Sequence, residues 1–407
     1  MPISLSRARR LLALLTVWGT AFAALIVAGC AAPPPAAPSN TELAFDAAVA
    51  QATDGLMAQT KKLPAFLAKV ESKTTRRGVV LDPMLDASSG QQTNATQLLE
   101  RRVTERMVSG TDSIEILPFQ TANLARAQYL LTGTLARVQA GQARAPMQIN
   151  LALTELKSGN VVAQASALAR DEGLDHTPLP YYQDSPVLLK DPVIDGYVRT
   201  SATAPGQRAD AFYIERIAVA TMINEATTLY NAERYQEALT QYRAAGGAAG
   251  GEQLRALNGI YLASVKLGRN AEAEQAFGKV VAYGFSTSQL GVKFLFNPGS
   301  TVFWSDPKIS GPYAMWLRQI AKAGTAAKAC LNIVGHTSRT GSEQTNDALS
   351  NQRAVYIRQR LATEAAPLGA RAKASGVGSR ENIVGSGTDN AVDALDRRVE
   401  FKIVPCG

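Results

Sequence analysis

Three arginines, Arg7, Arg9 and Arg10, precede an apolar run over residues 11–29 that only Thr16 and Thr20 interrupt, and residues 1–29 hold no acid. This is the layout of a secretory leader. A run of that length can also span a bilayer, so its end decides between removal and retention. It ends at Val27, Ala28, Gly29 and Cys30, and a tract over 31–40 with Pro33, Pro34, Pro35 and Pro38 follows. Everything downstream is therefore expected to fold in an oxidising compartment, where disulfides persist. The 407 residues suffice for two or three compact domains. The 42 Lys and Arg against 34 Asp and Glu give +8, which fits solubility or an anionic partner but falls short of a dedicated nucleic-acid binder. Three cysteines and two histidines cannot build a four-cysteine zinc site, or a mixed one beside any other use of them. A mean hydropathy of −0.06 excludes a polytopic membrane protein.

Small residues just before Cys30 and the flexible tract after it resemble a bacterial lipobox. The resemblance implies removal of the signal peptide 1–29, a diacylglycerol on Cys30 and an acylated, palmitate-type amino terminus. Ala31, not Asp, in the next position implies sorting to the outer membrane. Several acyl chains hold a protein far more firmly than one, each buried methylene adding roughly 0.8 kcal/mol. The competing reading is an uncleaved anchor with a chance cysteine. Loss of the three arginines leaves +5, and from residue 293 onward 15 Lys and Arg face nine Asp and Glu, so the basic excess is C-terminal. Cys330 and Cys406 are then the remaining thiols; they are expected to pair, or else to lie buried and inert.

After residues 30–40, residues 41–63 carry Leu43, Ala47, Ala50 and Met57 at helical spacing, with Asp54 in the gap. Residues 78–81 read as a buried strand, Thr93 or Asn94 as the cap of a helix through Met107, and 113–117 as a second strand. A short helix at 124–127 leads to a strand over 129–138, and 147–156 and 161–168 form a hairpin about Ser158-Gly159-Asn160. With Val80-Leu81-Asp82-Pro83 at the first strand and Ala127 to Gly133 entering a later one, this region resembles the periplasmic α/β lipoprotein domains that activate penicillin-binding synthases or serve curli and flagellar assembly. The resemblance implies a docking domain over 41–177 that binds a protein partner; the plainer reading is any exported α/β domain. Residues 178–210, with Pro178, Pro180, Pro186, Pro192 and Pro205, read as a linker crossing a surface.

Within 211–288, Leu229 to Ala238 aligns with Ser264 to Ala273 at an offset of 35, and Tyr242 and Phe277 fall at matching positions. This resembles two tetratricopeptide repeats. Two units are fewer than such arrays need, so a flanking helix over 212–222 or the next domain must cap them. They are either a peptide groove or a spacer, and a pair of repeats offers little concave surface for the former.

Residues 289–407 alternate elements over 293–296, 312–323, 329–335, 345–363, 371–376 and 398–404. Gly335-His336-Thr337-Ser338-Arg339-Thr340-Gly341, then Asn346, Leu349, Ser350, Arg353 and Ala354, then Gly376 and Gly378, and finally Asp396-Arg397-Arg398-Val399-Glu400 resemble an OmpA-like peptidoglycan-binding domain, an α/β sandwich. The resemblance implies a pocket for the diaminopimelate of the stem peptide, made by Thr337, Ser338 and Arg339 of the loop and Arg353 of the long helix. A guanidinium fork suits a carboxylate because two parallel hydrogen bonds fix its plane. Asn346 either caps the helix or touches ligand, capping being preferred. Arg397 and Arg398 line the cleft in support or pair with Asp393 and Asp396. His336 is expected to be structural.

The family places an Asp where this chain has Ser338. A hydrogen bond to an ion contributes roughly 1.5 to 3 kcal/mol and a neutral one about 1, so affinity is expected to be lower by roughly three- to thirtyfold. Arg339 worsens this for an ammonium, or else turns the pocket toward another acidic ligand. Cys330 opens the central strand and Cys406 follows the last one, and if those strands are antiparallel neighbours, as the family sheet implies, the two cysteines meet.

No G-x-S-x-G, P-loop or G-x-G-x-x-G is present, and Ser305-Asp306-Pro307-Lys308 lacks the partners of a penicillin-binding S-x-x-K. The chain therefore reads as a multi-domain α/β protein, not an enzyme and without cofactor or metal. It is expected to face the periplasm as an outer-membrane lipoprotein that tethers membrane to peptidoglycan. The alternative is a regulatory scaffold of an envelope secretion or wall-synthesis machine whose OmpA-like domain grips the wall weakly or not at all.

Overall fold

The computed structural model describes residues 41–63, 76–138, 145–383, 387 and 392–406. The leader, Cys30 and the proline tract lie outside the described residues. Among those described, no helix is long and apolar enough to cross a membrane.

The N-terminal region is a seven-stranded sheet. Its path runs β1 (Glu42–Leu43), β7 (Asn160–Ala169), β6 (Met147–Glu155), β5 (Tyr129–Arg137), β2 (Arg77–Leu81), β4 (Ile114–Pro118), and β3 (Leu85–Asp86) pairs with β5. The expected hairpin is β6–β7, turned at Gly159, whose φ of 71° only glycine adopts without strain. Alternation along the strands supplies both faces: Val79, Leu81, Tyr129 and Leu131 enter one core with helices α1 (Phe45–Thr60) and α2 (Asn94–Gly110), while Val80 and Leu130 enter another. Thr93 caps α2 in a reciprocal box with Thr96, which terminates the helix cleanly in a buried position. Two expectations need correction here. The face of α1 that meets the sheet is Ala48, Val49, Ala52 and Leu56, whereas Ala47 is exposed, and Asp54 bonds Arg106 of α2. The short helix α3 occupies Thr121–Leu124, ahead of 124–127.

Residues 178–210 are not a linker over a surface. They form helices α4 (Pro180–Asp184) and α5 (Pro192–Ser201), each started by a proline in its first turn, and Asp191 caps α5 by accepting from Val193 and Ile194. Val193, Ile194 and Tyr197 cover the second face of the sheet beside Val80 and Leu130. Tyr181 and Tyr182 enter a different core, that of the helices that follow. Proline was therefore an initiator in this stretch, and the aromatic residues between the prolines were the signal that it is buried.

After a turn at α6 (Ala211–Ile214), four helices follow: α7 (Ile217–Asn231), α8 (Tyr235–Gly247), α9 (Leu254–Lys266) and α10 (Asn270–Ser286). The 35-residue offset is visible in the turns: Glu233 and Gly268 occupy equivalent places with φ of 61° and 70°. The last helix does not end the stack. Phe277 stacks on Trp316 at 5.5 Å, Trp316 Nε1 donates to Tyr261 Oη at 2.9 Å, and one continuous core joins α7–α10 to the C-terminal domain. That domain has a three-stranded sheet in the order β10 (Val399–Val404), β8 (Cys330–Gly335), β9 (Ala372–Gly376). Helices α11 (Pro307–Ser310), α12 (Tyr313–Ala326), α13 (Glu343–Glu364) and α14 (Ala366–Ala370) accompany it. The strand expected at 293–296 is instead an irregular buried segment joined by isolated bridges, Val187 to Val292 and Phe296 to Phe303.

Candidate functional site

β8 is central in its sheet, so the chain leaving it at Gly335 emerges between two neighbours. The following loop, 336–341, is held against α13 because Gly335 lacks a side chain: a Cβ there would lie 1.9 Å from Ser350 O. Three further segments are laced to this loop. Thr337 N donates to Gly378 O at 2.9 Å, Gly378 N donates to Ser350 Oγ at 3.0 Å, and Asn382 Nδ2 donates to Thr337 O at 3.2 Å. His336 N donates to Arg398 O at 2.9 Å, which brings in the start of β10. Thr337, Ser338, Asn346, Arg353, Arg397 and Arg398 thus gather around one place, all buried, with Arg339 half-buried at its edge.

The roles differ from those expected. Ser342, not Asn346, caps α13, its Oγ accepting from Thr345 N at 3.2 Å, and Asn346 is buried within the first turn. Arg353 is fully buried. Its Nε donates to Ser300 O at 3.0 Å, Nη2 to Asn297 O at 3.1 Å and Nη1 to His336 O at 3.3 Å, with the guanidinium 5.1 Å over the Phe296 ring. The side chain expected to present its fork to a ligand holds the 297–300 loop to the 336–341 loop, and it is not a solvated helix arginine either. Ser338 Oγ lies 3.3 Å from Thr340 Oγ1. Arg398 pairs with Glu400 at 2.5 Å and donates to Glu381 O at 3.1 Å, so it braces the sheet edge. Arg397 lies 5.5 Å over the Trp304 ring.

Burial pulls the pKa of Arg339 down, the Arg137 guanidinium adds to this, and the carboxylates of Asp396 and Asp393 oppose it. Asp393 and Asp396 are themselves wholly buried, and Asp396 Oδ1 accepts from Ile383 N at 2.6 Å. The 297–300 loop, Phe296 and Trp304 were not anticipated as parts of this site. The signal present was the alternation Val292, Phe294, Phe296, all buried, which marks a covered segment without saying what it covers.

Cys330 and Cys406 form a disulfide with Cα atoms 5.3 Å apart. The antiparallel register that sets Val404 opposite Cys330 brings the start of β8 and the end of β10 together.

Residues 295–394 match the model of the OmpA family, so an OmpA-like domain stands at the C terminus. The peptidoglycan-associated lipoprotein of Burkholderia pseudomallei is similar at 24% identity over 27% of this chain and 88% of its own, with a TM-score of 0.23. A putative MotB-like protein of Desulfovibrio vulgaris is similar at 20% identity over 34% of this chain and 98% of its own, with a TM-score of 0.24. A Xanthomonas campestris protein is similar at 14% identity over 42% of this chain and 92% of its own, with a TM-score of 0.18. No curated protein matches the chain.

The site also sets a pH dependence. Neither ring nitrogen of His336 has a hydrogen-bond partner, and although Glu400 Oε2 lies 3.8 Å from Nε2, burial first and then Arg398 and Lys402 push its pKa down to about 2. A folded-state value below the unfolded 6.5 means that this contribution to stability is complete above pH 6.5 and is lost as pH falls. Asp82 of the N-terminal region works in the opposite sense: burial raises it to about 7, so its contribution is complete below pH 3.8 and is lost as pH rises toward 7. Acidification from pH 7 to 4 should therefore weaken β8–β10 by about 3 kcal/mol while strengthening β2 and its neighbours by a similar amount. Hydrogen exchange resolved by segment checks this: protection of β8 should fall relative to β2 and β5, and His336→Gln should abolish the change in β8. Equal shifts in both sheets would refute the assignment.

Proposed function

We propose that the chain is a non-catalytic envelope lipoprotein, lipid-anchored through Cys30 in the outer membrane and facing the periplasm, whose OmpA-like domain takes the diaminopimelate stem of peptidoglycan. Residues 41–177 and the helical repeats serve as docking modules for an envelope partner in this reading. The observation that carries it is the gathering of the 336–341 loop, Arg353 and Arg397 at one place in a domain that matches the OmpA family. A ligand carboxylate reaches the Arg353 fork when the 297–300 loop lifts and takes Ser300 O and Asn297 O away from Nε and Nη2. A carboxylate accepts two parallel bonds from the fork in one plane, which two separate carbonyls do not.

A second reading, a scaffold of an envelope machine whose OmpA-like domain grips the wall weakly or not at all, is favoured by the closed state of Arg353 and by serine at position 338. Sedimentation with purified sacculi separates the two. The anchor co-pellets, and Ser338→Asp tightens it by roughly three- to thirtyfold by restoring a charged acceptor for the ammonium. The scaffold stays in the supernatant. In the same preparation Cys30→Ser should shift the chain from the membrane fraction to the soluble one.

A further inference from the structure

A second concavity adjoins the OmpA-like site at Trp304, where α4, α9 and the start of the C-terminal domain meet. It is a cavity of about 360 Å³, within the roughly 300 to 1,000 Å³ usual for small-ligand sites. Its walls carry five aromatic rings, those of Tyr230, Tyr261, Trp304, Tyr313 and Trp316. Two of the few exposed large apolar side chains among the described residues, Val265 and Ile309, stand on its lining, at 41% and 38% exposure. The apolar surface thus continues from inside the cavity to solvent, the form expected of an entrance rather than a packing defect.

The charged groups of the same wall are mostly cationic. Lys266, Lys293 and Lys308 line it against one carboxylate, Asp184, which is already engaged: it pairs with Lys266 at 2.8 Å and accepts from Tyr230 Oη at 2.7 Å. Lys293 is the informative one. It is 6% exposed, and its Nζ donates to Tyr182 O at 3.1 Å. An ammonium has three donors and this bond uses one. Burying such a group is expensive: desolvation pulls its pKa down to about 7, with Asp184 only partly offsetting. A methionine of similar length would fill the place without that cost, and nothing in the fold described above uses the charge.

We propose that this cavity is a binding site for a carboxylate carried on a small apolar or aromatic body, the body packing among the rings and the carboxylate meeting Lys293. Two sources share that chemistry, a free aliphatic acid and the C-terminal residue of a hydrophobic peptide. The proposal does not rest on the reading of the OmpA-like domain: Arg353 and the 336–341 loop take no part in it, and Trp304, which also lies under Arg397, is shared by the two places.

The molecule supplies its own reporter. Trp304 and Trp316 both line the cavity, and the third tryptophan of the chain, Trp18, belongs to the expected leader. The test is intrinsic fluorescence of the chain expressed without residues 1–29, titrated with decanoate, decanol, N-acetylphenylalanine and N-acetylphenylalanine amide. At least one acid should give a saturable change at a concentration tenfold or more below that of its uncharged partner. Lys293→Met should weaken that acid tenfold or more and leave the uncharged partner unaltered. Unfolding measured by circular dichroism checks that the variant folds, and Lys308→Met, at the exposed margin, should have a smaller effect. Response to decanoate alone identifies a free acid as the source, and response to N-acetylphenylalanine alone identifies a peptide end. The proposal is overturned by no saturable change with either acid, by uncharged partners that bind as tightly as the acids, or by an acid affinity that Lys293→Met leaves unchanged.

Discussion

Arg353→Ala is expected to destabilise the C-terminal domain by about 3 to 5 kcal/mol, measured as a fall in the denaturation midpoint of the full chain. The variant strips donors from three main-chain carbonyls, those of Asn297, Ser300 and His336, in a place where the side chain has no exposure. A buried acceptor that loses its partner costs roughly 1 to 3 kcal/mol, and the removed side chain leaves a cavity beside Phe296. Asn297 O also accepts from Ser300 N, which moderates the loss at that one carbonyl. Arg353→Lys keeps the charge but cannot span three acceptors spread over two loops, and should lie between the alanine variant and the native chain. An alanine variant as stable as the native chain would show that the guanidinium does not hold the 297–300 loop. This also changes how a binding experiment is read: loss of sacculus retention in Arg353→Ala reports contact with murein only if the loop remains in place. Ser338→Asp is the complementary probe, since it adds a charged acceptor to the 336–341 loop while Arg353 stays in place.

The difference between what residue types announce and where their side chains end up follows from the range of the information. Elements set by local periodicity and caps were legible: the β6–β7 hairpin with its glycine turn, the Thr93-capped helix, and the five later elements of the C-terminal domain. So was the shared turn of the helical pairs, because a 35-residue offset is a property of the sequence itself. Residues 178–210 were misread because five prolines resemble a linker, whereas Pro180 and Pro192 stand in first turns, where a missing N–H costs nothing. Their burial is non-local: Tyr197 Oη accepts from Gly133 N and donates to a carbonyl of the β-sheet region, a contact 64 residues distant. Arg353 shows the same limit at the site. Its position in the motif was legible, but the acceptors it uses come from a loop more than fifty residues earlier that belongs to no recognisable pattern.

Removing the covalent link between Cys330 and Cys406, by Cys330→Ser with Cys406→Ser or by reduction, should cost about 4 kcal/mol. The two residues are 76 apart in sequence, and a chain-entropy estimate for closing a loop of that size in the denatured state gives roughly that value. The enclosed segment includes β8, α13, β9 and most of the OmpA-like site, so what is lost is resistance of that whole region to unfolding. Cys406 is exposed, so reductant reaches the bond in the folded chain. Because the effect lies in the denatured ensemble, the slope of the denaturation curve should steepen as the midpoint falls, the released chain exposing more surface on unfolding. Arg353→Ala acts instead through native contacts, so its slope should stay close to that of the native chain. A double perturbation should then be close to additive, since one change removes native hydrogen bonds and the other relaxes the unfolded chain. Equal stability with and without reductant would mean that the antiparallel β8–β10 register, not the sulfur bridge, fixes these ends. In that event, export to an oxidising compartment would add nothing to the strength of this domain.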